Sequence, residues 1–113
     1  MIVFNKTRGA LVADRIDRAD TPAARAKGLL GRDGLEAGEG VWIVPCAMVH
    51  MFFMRFPIDV VFLDRGLKVR RVVADLKTWR LSPWVPSAHS VLELAAGAAR
   101  GTVAVGDELE MRG

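Results

Sequence analysis

The sequence predicts one α+β domain over residues 1–113, mostly antiparallel β, barrel- or sandwich-like, with one short N-terminal helix. Three observations lead there. The apolar runs are short and bounded by turn residues, as in strands. Only one stretch carries a helix start signal followed by helical spacing. The chain has 113 residues, 51% hydrophobic and 26% charged, which is enough for a single core.

Taken in chain order, Ile2-Val3-Phe4 and Ala10-Leu11-Val12-Ala13 read as two strands joined around Arg8-Gly9. Asp20-Thr21-Pro22 then opens a helix, a capping residue standing before a proline whose fixed φ suits the first turn. Ala23, Ala26 and Leu30 share one face of it, expected to pack inward, and Gly31 and Gly34 end it. Val41 to Val44, Asp59 to Asp64 and Ser90 to Leu94 are further strands. Asp64-Arg65-Gly66 turns a hairpin into Leu67 to Asp75, where apolar and charged residues partly alternate. Ala95 to Arg100 leaves room for one further helical turn, and Gly106-Asp107 leads into a last strand, Glu108 to Met111. Helices are too few for a sheet of βαβ units.

Composition narrows the function classes. Lys plus Arg is 16 and Asp plus Glu is 13, a modest +3. The basic stretch Arg65, Lys68, Arg70, Arg71, Lys77 and Arg80 is accounted for by charge guarding an edge strand, so nucleic acid is not an expected partner. Cys46 is the only cysteine, which excludes an internal disulfide and a four-cysteine zinc site. The longest run without charge, Val41 to Met54, contains Pro45 and falls short of the ~20 residues of a membrane helix. It reads as two buried strand or loop pieces. No secretory pattern opens the chain, so the expected compartment is the cytoplasm, with no membrane partner.

Four ordered blocks carry a resemblance. They are Gly28-Leu29-Leu30-Gly31-Arg32 with Leu35 and Gly38 to Ile43; Phe53 to Asp64; Val91 to Gly97; and Gly106 to Leu109. Together they resemble the bacterial and archaeal family called "domain of unknown function 192", over roughly residues 8 to 111. The resemblance implies a small, mostly antiparallel β domain with a short helix, and no established activity. This chain departs from the family's usual polar stretch at Arg55-Phe56.

The charged residues inside those blocks are Arg32, Asp59, Asp64, Glu93 and Asp107. Asp59 stands at the mouth of an apolar strand, where an unpaired carboxylate is costly, and Arg32 is its expected ion-pair partner. In a cleft, Asp59 would instead suit general acid or base work. Asp59 and Asp64 are an odd number apart and point to opposite faces of one strand, so they make no facing carboxylate pair. Asp59 with Glu93 is open if their strands are neighbours.

Cys46 and His50 are the other candidates for chemistry. A thiol beside an imidazole makes a nucleophile. Four residues apart, their side chains lie roughly 6 Å apart on a helix but about 13 Å apart on a strand. The surrounding Val44, Val49, Phe52 and Phe53 favour extended chain, so a buried thiol and a hydrogen-bonded histidine are expected. A metal would need further ligands, such as His89 and Asp59. No phosphate loop, catalytic triad order or carboxylate-rich metal motif is present, and no metal or cofactor is expected.

His50 to Phe56 is apolar on both parities, while Trp79 to Pro86 is a proline-bounded loop with two of the three tryptophans. Either they cover the core, or they form a pocket whose binding residues are His50, Phe52, Met54, Trp79, Arg80 and Trp84. The leading reading is a small accessory or ligand-binding module with an apolar, aromatic pocket for a small molecule. One alternative is a hydrolase- or transferase-type enzyme using Asp59 with Arg32, or the Cys46 thiol. The other is a protein-interaction domain that pairs through a strand edge.

Overall fold

A computed structural model describes all of residues 1–113. The strands are β1 (Ile2–Asn5), β2 (Ala10–Ala13), β3 (Arg15–Ala19), β4 (Glu39–Ile43), β5 (Ile58–Leu63), β6 (Val69–Leu76), β7 (Ser90–Ala95) and β8 (Leu109–Arg112). The one helix, α1 (Pro22–Lys27), follows β3. A five-stranded sheet runs β3-β4-β7-β5-β6 and a three-stranded sheet runs β2-β1-β8, and neither closes. The α+β class stands, built from two open sheets rather than a barrel.

Every residue of β5 is buried, as are the first five of β7, so both strands are covered on two faces. One core lies between the sheets, where Val3, Val12 and Leu109 of the small sheet meet Val61, Leu63, Leu92 and Leu94. The second lies on the far face of the large sheet, where Val41, Ile43, Ile58, Val60, Phe62 and Val91 are covered by Leu29, Val49, Met51, Met54 and Val85. That cover comes largely from two irregular connections, Val44 to Pro57 and Lys77 to His89. They zip together through backbone bonds from Met51 N–H to the Arg80 carbonyl, from Ser82 N–H to that of Val49 and from Val85 N–H to that of Ala47. A buried loop needs such partners for its amides.

The structure corrects several expectations. His50 to Phe56 is not a strand: only His50 bridges, to Leu81, and Phe53 takes φ +65°. Met51 and Met54 point into the core while Phe52 and Phe53 stay outside. The strand β3 is hidden in the sequence by its charges, because it is an edge strand burying only Ile16 and Ala19. It pairs in parallel with β4, with α1 crossing between them. Thr21 caps α1 by accepting the Ala24 amide at 3.1 Å, as the capping signal requires. The helix nevertheless ends at Gly28 (φ +46°), three residues early, and buries none of its own residues. Ala95 ends β7, and residues 96–102 form turns and no helix.

The Arg32–Asp59 pair does not exist. Arg32 pairs with Asp17 at 2.9 Å on the surface. Asp59 is fully buried between the sheets, its Oδ1 accepting the Asp75 amide at 2.8 Å and its Oδ2 the Ala99 amide at 2.9 Å. The Asp75 amide belongs to the irregular β5–β6 pairing, at a residue with φ +53°. Asp59 satisfies two backbone donors that the ladder leaves over, and needs no cation to do so. Asp59→Ala is therefore expected to cost about 2–5 kcal/mol in urea unfolding, by orphaning the buried Ala99 amide and the part-buried Asp75 amide. Arg32→Ala should cost under about 1 kcal/mol, as for an exposed pair. Equal losses would contradict this assignment.

Candidate functional site

The second core is incomplete where α1 runs out. Its last turn and the residues after it, Arg25 to Leu30, face the loop after β4 across a cavity of about 270 Å³. Ile43, Val49 and Met54 line its apolar side, Cys46, Met48 and His50 its loop side, and Glu93 of β7 stands in its wall.

Glu93 reaches this place through register. It sits between Val41 and Val60 on neighbouring strands, on the face of the second core. Asp59 pairs across with Leu94 and lies on the other face. The two acids are on adjacent strands but cannot meet. Gly40 lets β4 and β7 approach: a side chain there would collide with the Glu93 carbonyl oxygen and crowd Ile16 and Leu94. At Gly28, a methyl would lie 3.6 Å from Glu93 Oε1, in ordinary contact, so the end of the helix stands about a methyl's breadth from the carboxyl.

Only 5% of Glu93 is exposed, and no protein group donates to its carboxyl. Burial alone pushes its pKa up to about 7, because desolvation penalises the charged form. Arg25, half-buried, and Lys27, exposed, line the same cavity. The Arg25 and Ala26 carbonyls, at the frayed end of α1, accept no backbone hydrogen bond.

Cys46 donates its thiol hydrogen to the Met48 carbonyl at 3.1 Å. Burial pushes this thiol's pKa up, with Glu93 adding to the shift and Arg25 opposing it. That is the reverse of an activated nucleophile. Cys46 and His50 do line one cavity, although the local chain is neither helix nor strand. His89 lines a separate hollow near Asp64 and Lys68, and no group of three or more His, Cys, Asp or Glu side chains is placed to hold a metal ion.

Of the six residues expected to bind, His50 and Met54 line the cavity and the other four do not. The His50 ring packs on Phe52 at 5.4 Å, and Trp79 packs on Phe52 at 6.1 Å and on Phe53 at 4.9 Å. Those rings lead from the cavity over the outer surface. Trp79 is 58% exposed and Trp84 69%, while Arg80 is held by its carbonyl rather than its guanidinium. The cavity thus does not lie against the tryptophan loop. Backbone bonds draw that loop onto Ala47 to Met51 and turn the indoles outward, closing the space where a pocket was expected. Glu93 is the site residue that sequence reasoning does not assign. Its one signal is an acid inside the otherwise apolar run Val91 to Leu94.

Comparisons with known proteins concern the chain as a whole. The family model DUF192, described as "Uncharacterized ACR", matches residues 3–111. A "UPF0127 protein" of Thermococcus sibiricus is 36% identical, over 96% of this chain and 73% of the relative. A second, of Thermococcus gammatolerans, is 34% identical over 88% of this chain and 67% of the relative. Among solved structures, a protein of unknown function from Novosphingobium aromaticivorans superposes with a TM-score of 0.83 at 26% identity, over 97% of this chain and 82% of that one. A protein of Sinorhizobium meliloti gives 0.78 at 24% identity, over 96% and 89%, a likeness of fold alone.

The buried acid has a measurable signature. With its pKa raised from 4.5 to about 7, Glu93 holds its proton more tightly folded than unfolded. The wild type should therefore lose stability as pH rises through that window. Glu93→Gln should match the wild type near pH 4.5 and exceed it at pH 8 by about 3 kcal/mol in paired urea titrations. A stability difference that does not change with pH would show that Glu93 is solvated or paired.

Proposed function

The chain belongs to the DUF192 family, and from its own geometry we propose that it is a small-molecule binding module. One observation carries the reading: an unpartnered, buried carboxyl opens onto an apolar cavity. Burying such a group without a donor costs stability, and a ligand donor would recover it. The cavity is near the lower end of the ~300–1,000 Å³ usual for small-molecule sites, and a little over half of its lining residues are hydrophobic. Binding is favoured over thiol catalysis because burial keeps Cys46 protonated. A single free thiol suits a reducing cell interior and supports a cytoplasmic setting; no helix is long and apolar enough to cross a membrane.

A fragment screen followed by methyl and indole NMR tests the reading. Fragments that bind should shift the Met48 and Met54 methyls and leave the Trp79 and Trp84 indole signals in place. Hits confined to the tryptophans, or no binder at millimolar concentration, would remove it.

A further inference from the structure

The cavity has a polarity that specifies more than size. Its inner end carries two acceptors without a protein donor: the Glu93 carboxyl and the Arg25 carbonyl, 3.6 and 3.8 Å from the place a Gly28 methyl would occupy. Helix carbonyls without partners carry partial negative charge. A primary ammonium offers three donors and no acceptor, the complement of such a set. The outer end carries cations. Lys27 is exposed, and Arg25 spends one guanidinium nitrogen on the Asp20 carbonyl at 3.3 Å, leaving further donors free. Between the ends lie Leu29, Ile43, Val49 and Met54.

Resting on the binding reading above, we infer that the ligand is a small amphiphilic zwitterion of the free amino acid class. Its ammonium sits on Glu93, its anionic group faces Arg25 and Lys27, and its apolar group packs on the aliphatic wall. An ammonium needs the ionised carboxyl, so binding must displace the proton Glu93 otherwise keeps. Affinity for an amine should then rise as that proton is lost, whereas a ligand accepting a hydrogen bond from the protonated acid would show the opposite trend. The other titratable groups that line the cavity with Glu93 are Arg25 and Lys27 from α1 and Cys46 and His50 from the loop; β4 contributes only Ile43.

Three probes of one shape separate the contributions: L-leucine, isopentylamine (leucine without its carboxylate) and isocaproate (leucine without its amino group). Binding is followed on the Met48 and Met54 methyls at pH 6 and pH 8. Leucine and isopentylamine should bind at least about tenfold tighter than isocaproate, and the isopentylamine affinity should rise about tenfold between the two pH values. Glu93→Gln, which removes a buried charge and so keeps the fold, should abolish that rise; His50→Gln should retain it. Arg25→Gln with Lys27→Gln should weaken leucine but not isopentylamine. The inference is overturned if isocaproate binds as tightly as the amines, if amine affinity falls with rising pH, or if Glu93→Gln binds amines unchanged. Isocaproate shifting the same methyls while the amines do not would retain the pocket and reject the amine. If no probe binds, the amine class is rejected and the cavity itself is judged by the fragment screen.

Discussion

Two-sided burial of β5 and β7 is the constraint on which the rest of this structure depends. Both strands sit in the middle of the large sheet, with the small sheet on one face and zipped loops on the other. A polar side chain on either strand is therefore removed from water whichever way it points. It finds partners inside the protein, faces a void, or goes unpaired as the Ser90 hydroxyl does. Asp59 finds them in two backbone amides. Glu93, on the opposite face, finds none and faces the cavity. The same burial that makes Asp59 a structural clasp makes Glu93 available to a ligand.

The cavity exists because of how the second face is covered. A longer helix could have sealed it with one continuous apolar stripe, but α1 has six residues and ends at Gly28. Irregular loops cover the remainder, and their amides must be paired, so they close most tightly where two extended segments run side by side. This happens between Ala47 to Met51 and Arg80 to Val85, around the Val49 amide and Ser82 hydroxyl, 2.8 Å apart. Away from that zip, toward the end of α1, nothing fills the space above Glu93. The loop pairing also leaves outside the aromatic residues that the sequence marks as either core cover or pocket lining. Phe52, Phe53 and Trp79 instead pack on one another beyond the mouth of the cavity.

Two glycines complete the site, Gly40 by close approach and Gly28 by its backbone conformation. Gly40 brings β7 against β4, and Gly28, in the left-handed region, lays the helix end over the carboxyl. Neither contact involves catalytic chemistry. They set the distance between an acid on one element and the helix terminus on another, which determines what the cavity can recognise.

Much of the fold is legible in the residues. Short apolar runs, the Thr21-Pro22 cap and the Asp64 turn are local signals read within a few positions, and each forms close to where the pattern puts it. β3 is not legible, since an edge strand needs only Ile16 and Ala19 inside and can carry charge elsewhere. The site is legible only in part. Cys46, His50 and Met54 stand out in the sequence and do line the cavity, but Arg32 pairs with a different acid from the one expected. Sequence alone establishes that Asp59 and Glu93 are acids in apolar strands and must be satisfied somehow, because burial energetics are local to the residue. Which neighbour satisfies them depends on a one-residue difference in strand register and on where a helix stops. Those are long-range facts, fixed only when β5 and β7 pair side by side.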